Sequence, residues 1–407
     1  MWFFLLSALW AAPPDFAITH AHLLPMEGEE VADGTVLIGE GKILALGAAV
    51  VVPPGTPTLD AKGQYLMPGI IDVHSHMGVY SWPGGGGVDD GNEMVEPFTP
   101  RVWAGDSFDP EDPAIPRARA GGVTTVQILP GSGNLIGGRS AILKLRPSRS
   151  VEPMVLKGAP PGIKMAVGEN PKRVYKDKVD DDQLMTRMGE YAAFRDKFQE
   201  TREYVAAKAK NSSLPRDMDL EVLADVLAGK IRVNLHCYRS LDILAFFRIA
   251  DEFGFKVTTL HHALEAYKVR DVVAAHGTGI ATWPDWWGFK QESWDGIPWN
   301  ASLVSQVGVP VALHSDSPDV VQRMYLEAAK MVRYGMTEAD ALEAITLDPA
   351  RLLGIDDRVG SLKVGKDADM VLFRRHPLDV YTLVEHSWID GKTVYDRAVD
   401  GEPSGRR

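Results

Sequence analysis

Two histidines one residue apart close the apolar run Ile70-Ile71-Asp72-Val73-His74-Ser75-His76, and Met77-Gly78 follows. Side chains two apart on a β-strand leave the same face, so His74 and His76 project side by side. Two neutral imidazoles held that way supply half of a metal site, and the glycine-rich stretch Trp82-Pro83-Gly84-Gly85-Gly86-Gly87 reads as a mobile loop that leaves it open. Alone, the pair is a weak signal. It gains weight because three later apolar runs also end in metal-capable residues. Ile231-Arg232-Val233-Asn234-Leu235 ends in His236, and Lys256-Val257-Thr258-Thr259-Leu260 runs into His261-His262. Val309-Pro310-Val311-Ala312-Leu313 is followed by His314-Ser315-Asp316. Of the adjacent pair only one histidine shares the inward face, and His262 is favoured. Asp316 reads either as the cap of a helix starting near Pro318 or, beside a metal, as a ligand that shuttles a proton.

These runs belong to an alternation of strand, loop and helix. Strands are expected at 70–76, 123–129, 141–145, 162–167, 231–236, 256–260, 279–282 and 309–313. Helices are expected at 183–210, 219–229, 241–253, 265–275, 299–307, 318–335 and 337–345; Leu241, Leu244, Ala245, Ile249 and Phe253 recur at helical spacing, as do Val320, Met324, Ala328 and Met331. Alternation implies a parallel sheet, and about eight strands imply an α/β fold closed as a (β/α)8 barrel over 68–354. In such barrels chemistry sits at the C-terminal strand ends, where every histidine and aspartate named above falls. The polar helix at 183–210 reads as a solvated face. Short strands return at both ends of the chain, with a hairpin signal at Asp390-Gly391. The segments 13–67 and 355–400 are expected to pair into one small β-sandwich domain.

With 407 residues the chain exceeds what one simple core holds, about 250–300 residues. Its composition, 45% hydrophobic and 24% charged, is that of a globular protein. A formal net charge of −12 argues against non-specific nucleic-acid binding. The single cysteine, Cys237, excludes an internal disulfide framework and a cysteine-rich zinc module. Met1 to Ala12 is almost wholly apolar and ends in small residues, as in a short signal peptide, which points to a periplasmic or secreted location with a cytoplasmic one as the alternative. No stretch is long enough to span a membrane. The expected partner is a small-molecule substrate; assembly into a homo-oligomer stays open.

At this point the chain is identified as resembling the amidohydrolase superfamily, in the subgroup near imidazolonepropionases and metal-dependent prolidases. The resemblance is carried by Leu66-Met67-Pro68-Gly69-Ile70-Ile71-Asp72-Val73-His74-Ser75-His76, Gly122-Val123-Thr124-Thr125-Val126, His236, His262-Ala263-Leu264-Glu265-Ala266-Tyr267-Lys268 and His314-Ser315-Asp316-Ser317-Pro318. Thr346-Leu347-Asp348-Pro349-Ala350-Arg351-Leu352-Leu353-Gly354 and Gly360-Ser361-Leu362-Lys363-Val364-Gly365-Lys366-Asp367-Ala368-Asp369 extend it, so that it covers residues 16 to 395. These motifs mark the superfamily and not a substrate.

The resemblance implies one or two divalent ions, Zn²⁺ first among them. His74, His76 and Asp316 would hold the more buried ion, and His236 and His262 the second. Lys164, in Gly162-Ile163-Lys164-Met165, is the candidate for a carbamylated bridging lysine, with Glu169 as the alternative bridge. A bound Zn²⁺-like ion lowers the pKa of its water to about 7, giving a hydroxide that attacks a polarised carbonyl. Asp316 would then carry a proton to the departing nitrogen. Tyr267, Arg239 and His314 are candidate oxyanion or substrate contacts, and the tryptophans at 283, 286, 287, 294 and 299 suggest a ring-bearing or apolar substrate. The reading is a metal-dependent hydrolase of a cyclic amide, amidine or dipeptide C–N bond. A heterocycle deaminase and a non-catalytic metal- or solute-binding barrel are the alternatives. Gly131-Ser132-Gly133-Asn134-Leu135-Ile136-Gly137-Gly138 has the wrong spacing for a dinucleotide loop.

Overall fold

The structure is a computed structural model that describes residues 13–177 and 184–402. The expected leader, Met1 to Ala12, lies outside the described residues. Five strands open the described chain: β1 (Phe16–Leu23), β2 (Val31–Gly39), β3 (Lys42–Gly47), β4 (Thr58–Asp60) and β5 (Tyr65–Pro68). Nine form the central part: β6 (Ile70–Ser75), β7 (Val123–Ile128), β8 (Ile136–Arg139), β9 (Ala141–Lys144), β10 (Gly162–Ala166), β11 (Arg232–Cys237), β12 (Val257–His262), β13 (Gly279–Thr282) and β14 (Val311–Leu313). Three close it: β15 (Met370–Phe373), β16 (Val384–Ile389) and β17 (Lys392–Asp396). No helix among the described residues is long and apolar enough to cross a membrane.

All eight expected central strands form, but not as one closed parallel ladder. With β8, which was not expected, the nine divide into a six-stranded sheet, β14-β13-β12-β11-β10-β8, and a three-stranded sheet, β6-β7-β9. β6 with β7 and β10 through β14 pair in parallel, whereas β8 runs antiparallel to β10 and β9 antiparallel to β7. The reason lies in the connection. β7 ends at Ile128 and β8 begins at Ile136, too short a link for the crossover of a dozen or more residues that a parallel return requires. Residues 136–144 therefore come straight back, broken only at Ser140. Between β14 and β6 no strand ladder forms; Ile71 donates to the Ile345 carbonyl and Leu313 to Ala344, so the segment after helix Glu338–Glu343 bonds to both sides of the seam.

The helices expected between β11 and β14 form where the apolar spacing placed them, at Ser240–Phe253, Arg270–Ala275 and Asn300–Ser305. The first buries Ile243, Ala245, Phe246, Phe247, Ile249, Ala250 and Phe253 and stops at Gly254, whose φ of 72° only glycine adopts freely. Leu241, expected on the buried face, is 40% exposed because Phe246 and Phe247 turn the apolar stripe away from it. The long polar helix starts at Arg187, four residues later than expected, with Thr186 as its N-cap. Its Phe194 and Phe198, one turn apart, pack against Phe246, Phe253 and Phe255, and its charges other than the buried Glu190 lie on the outer side.

Both ends of the chain join, as expected, but in one eight-stranded sheet and not in two face-to-face ladders: β17-β16-β15-β5-β1-β2-β3, with β4 on β1. β1 makes the sheet continuous. It pairs antiparallel with β2 on one side and parallel with β4, then β5, on the other. The sheet curls, since Ile43 and Gly41 at the β3 edge exchange backbone bonds with Gly365, Lys366 and Ala368. Ile18, Leu23, Val36, Ile38, Leu66, Met370, Leu372 and Trp388 fill the enclosed face. The Asp390-Gly391 pair turns β16 into β17 with positive φ at both residues, as that dipeptide foretold.

The Asp390 carboxylate has a second duty that its turn signal did not announce. Lys144, fully buried at the end of β9, donates to Asp367 at 2.7 Å, Asp369 at 2.9 Å and Asp390 at 2.6 Å. Lys42, Arg146 and Arg358 add further bonds to the same carboxylates. This network ties the central strands to the terminal sheet. Burial alone would raise Asp367, but the Lys144 charge and the bonds from Lys144 and Lys42 hold it down at about 2. Lys144→Met removes the cationic partner of the buried Asp369 and should cost about 3–5 kcal/mol in urea unfolding at pH 7. Because the folded pKa of Asp367 is depressed from 3.8, its contribution is complete above pH 4 and fades as pH falls towards about 2. Unfolding curves that show equal stability for wild type and K144M at pH 7 would contradict this account.

Candidate metal centre

The strand ends deliver a cluster of imidazoles. His74 Nε2 lies 3.2 Å from His76 Nε2 and 3.2 Å from Lys164 Nζ. Asp316 Oδ1 is 3.1 Å from His76 Nε2 and 3.4 Å from His74 Nε2. The His262 ring stands 5.0 Å from that of His74 and 4.6 Å from that of His236. Ligand atoms of His74, His76 and Asp316 all lie within 4.8 Å of one another, and so do those of His74, His262 and His314. Five of these histidines (74, 236, 261, 262 and 314) are buried.

The local backbone explains the convergence. Asp72 and His74 share one face of β6 by simple alternation, and His76 follows one residue past its end. Asp72 is fully buried and accepts bonds from the backbone N–H groups of His74 and Ser315 and from Ser315 Oγ at 2.5 Å. It thereby clamps the loop of Asp316 to β6, and Asp316 N–H donates to the His74 carbonyl at 3.0 Å. Burial pushes the Asp72 carboxyl up to about 7 despite those three bonds. His262, Ala263 and Asp316 have positive φ, at 69°, 45° and 53°, a backbone form that side chains other than glycine seldom adopt. The strain is stored where the chain must turn abruptly at a strand end.

Outer contacts fix the rings. His76 Nδ1 donates to the Leu129 carbonyl at 2.8 Å, and His236 Nδ1 meets Ser132 Oγ at 2.9 Å. His262 packs against both Tyr238, 5.0 Å away at 18°, and Trp283, 4.5 Å away at 22°, whose own rings lie 6.3 Å apart. Burial, with the Lys164 charge nearby, drives His74, His236, His261 and His262 well below the ordinary histidine range, so they are neutral. Burial likewise brings Lys164 down to about 7. Burial would raise Asp316, but the bond and charge of His76 hold it below its usual value. Buried nitrogens without hydrogen-bond partners (Nδ1 of His74, Nδ1 of His262 and both of His314) add to this. Neutral imidazoles with free lone pairs around a carboxylate are the donor set that a divalent transition ion takes. The residues fit a metal.

A cavity of about 400 Å³ opens above the cluster, lined by His76, His236, His262 and Asp316 together with Tyr80, Ser132, Asn170, Arg173 and Tyr238. That is the size of a small-molecule site. Lys164, His74 and His314 lie beneath it, fully buried. Glu169 begins the helix Glu169–Tyr175, its backbone N–H bonded to Glu292 Oε1, and it is not among the cavity-lining residues. Tyr267 is directed to Asp295, donating to its carbonyl at 3.0 Å, and Arg239 lies 3.7 Å from Glu265; neither lines the cavity. Trp283 is buried and Trp286 stacks on it, but neither lines the cavity, and Trp286, Trp287, Trp294 and Trp299 are exposed.

Four contributors escaped the sequence reading. Asp72 carried a signal, since it alternates with His74 and His76, and so did Tyr238, two residues beyond His236. Ser132 follows a strand end in the stretch set aside as a failed nucleotide loop. Lys290 could not be found from spacing: it sits 3.9 Å over the Tyr238 ring and donates to Asn170 Oδ1 at 3.1 Å from a loop between strands.

Comparison with known proteins accords with this site. The amidohydrolase family model matches residues 189–395. The chain is 34% identical over 399 residues to amidohydrolase tasK of Hapsidospora irregularis, covering 90% of this chain and 40% of that protein. It is 26% identical to an imidazolonepropionase of Cupriavidus taiwanensis, over 90% of this chain and 91% of the relative. A crystal structure of an amidohydrolase from Thermotoga maritima MSB8 superposes with a TM-score of 0.88 at 38% identity, covering 94% of this chain and all of that one. With its strand-end histidines and aspartate, the chain belongs to the amidohydrolase family, enzymes that act on carbon–nitrogen bonds.

Behind the site, Glu190 accepts a bond from Gly168 N–H at 3.0 Å, where a φ of 97° and the nearby Glu292 carboxylate leave no room for a side chain. Burial raises Glu190 to about 8 from 4.5. The folded protein therefore keeps a proton that the unfolded chain releases, and stability falls as pH rises from 4.5 towards 8. Glu190→Gln should flatten that decline and stabilise the protein at pH 8 by a few kcal/mol, on the order of 1.4 kcal/mol per pKa unit. Urea unfolding at pH 5 and pH 8 reads both effects; an unchanged slope would show that other groups cause it.

Proposed function

We propose that this protein is a metal-dependent hydrolase that cleaves the non-ester C–N bond of a cyclic amide, amidine or dipeptide. The observation that carries the reading is Asp316: a carboxylate 3.1 Å from His76 and 3.4 Å from His74, on the floor of an open cavity. A purely binding barrel has no use for a proton carrier there. The scaffold is read as a (β/α)8-type barrel with one reversed strand, the β8 and β9 stretch.

His74, His76 and Asp316 would hold one ion, and His262 with His236 a second, zinc being the metal that suits imidazole and carboxylate together. Lys164 is the proposed bridging group after carbamylation. Its amine, brought down to about 7 by burial, is partly neutral and so available to carbon dioxide. A divalent ion in such a site supplies Lewis acidity and acidifies bound water to about pKa 7. The chain's own residues do the rest. Asp316, kept ionised below its usual pKa, accepts a proton and returns it to the leaving nitrogen, since amines depart poorly unless protonated. Asp72 and Ser315 hold Asp316 to β6 during that exchange. Tyr80 and Tyr238 give the cavity an aromatic lining, Trp283 with Trp286 stacked on it packing behind Tyr238, which suits a ring-bearing substrate.

The test is a panel of lactams, hydantoins, imidazolones and dipeptides, run on protein loaded with Zn²⁺ and on the Asp316→Asn variant. Turnover of one class, reduced about 10²–10⁴-fold in D316N with metal retained, is the expected result. Ammonia release from nucleobases in its place would favour a deaminase. Tight metal binding with no turnover, unchanged by D316N, would leave a binding scaffold.

A further inference from the structure

The stretch Gly131-Ser132-Gly133 fails as a nucleotide loop, yet it has a use beside the metal centre. Gly131 and Gly133 line the cavity together with Tyr80 and Asn92. A methyl group on Gly131 would stand 2.0 Å from Asn92 Nδ2 and 2.7 Å from Tyr80 Oη, and one on Gly91 would stand 2.3 Å from the Tyr80 ring. A side chain at either place would push Tyr80 or Asn92 aside. The two bare stretches of backbone are joined by a bond from Gly131 N–H to the Gly91 carbonyl at 2.8 Å, and they form a close-fitting seat for the phenol.

Hydrogen-bond accounting then fixes the role of the phenol oxygen. Gly133 N–H donates to Asn92 Oδ1 at 3.2 Å, so the amide nitrogen is the group that faces Tyr80 Oη, and it donates there. An amide turned the other way would set two donors against each other at Gly133. Tyr80 Oη is thus an acceptor from Asn92, and its own O–H has no acceptor among the described residues. The ring meets His76 edge-on, centroids 5.4 Å apart at 83°, in the wall of the cavity that Asp316 also lines. Tyr267 and Arg239, the other candidate donors to an oxyanion, lie outside that cavity. We infer that Tyr80 is a further catalytic residue. Its O–H, oriented by Asn92, donates a hydrogen bond to the carbonyl oxygen of the substrate and binds that oxygen more strongly as it gains negative charge in the tetrahedral intermediate. No proton is transferred in this step; the phenol keeps its hydrogen throughout.

The inference rests on the metal-dependent hydrolase reading above, and its test separates the two. Methylphosphonate, a tetrahedral anion shaped like the intermediate, is titrated by calorimetry into full-length Zn²⁺-loaded wild type and Tyr80→Phe, with the zinc content of both measured beforehand. The expected result is equal zinc and an affinity about tenfold weaker, or more, in Y80F. Equal affinities, or no binding by zinc-loaded wild type, would overturn the role of Tyr80 and leave the hydrolase reading standing. A wild type that takes up no zinc would overturn both. For whichever compound class turns over, Y80F should lower kcat about 10²–10³-fold with KM little changed, the mark of a bond made chiefly in the transition state; an unchanged kcat overturns the inference. Should Y80F fail to fold, wild-type crystals soaked with Zn²⁺ and methylphosphonate decide the matter. A phosphonate oxygen about 2.5–3.0 Å from Tyr80 Oη supports the assignment, and none within that reach overturns it.

Discussion

Five buried histidines and a buried lysine share one small volume, and they do so only while most of them stay uncharged. In a low-dielectric interior a charged imidazole would repel its neighbours and lose its hydration, which is why burial leads the forces that keep each ring neutral. The same neutrality leaves lone pairs free. The cluster is thus expensive to build from protein alone and well matched to a cation, and the surrounding structure can be understood as the means of holding it together.

Two kinds of fastening do this work at different ranges. Close in, Asp72 binds β6 to the Asp316 loop, and Tyr238 and Trp283 pack against His262. Farther out, Lys144 joins β9 to three aspartates of the terminal segments. The reversed stretch that carries Lys144 exists because its link to β7 is too short for a crossover. A departure from uniform parallel topology is therefore what brings the lysine to the terminal sheet. Ser132, on that same short link, orients His236.

The cavity wall is built by a different logic. The loop from Trp283 to Trp294 sets Trp283 against His262 and His314, packs Trp286 and Phe289 on Trp283, and sends Lys290 back over Tyr238 to Asn170. Apolar faces and one cation from a single loop thus pack against Tyr238, which lines the cavity above a polar floor.

How much of this was legible in the chain follows from the range of the interactions. Strand periodicity brings His74 and His76 together without help from the rest of the molecule, and apolar runs mark the strand ends that carry His236, His262 and Asp316. The Asp390-Gly391 turn is equally local, because only residues tolerant of positive φ close so tight a hairpin. Spacing along the chain does not record what distant segments do to one another. It gave no sign that Asp390 would also bind Lys144, that Lys290 would reach Asn170, or that β8 and β9 would run backwards. Nor did it separate His261 from His314: both follow apolar runs, and only packing supplies Asn234 to one and leaves the other without a partner. Local pattern decided which residues stand at the strand ends. Tertiary structure decided which of them have unspent lone pairs, because a hydrogen-bond partner is a matter of three-dimensional proximity and burial.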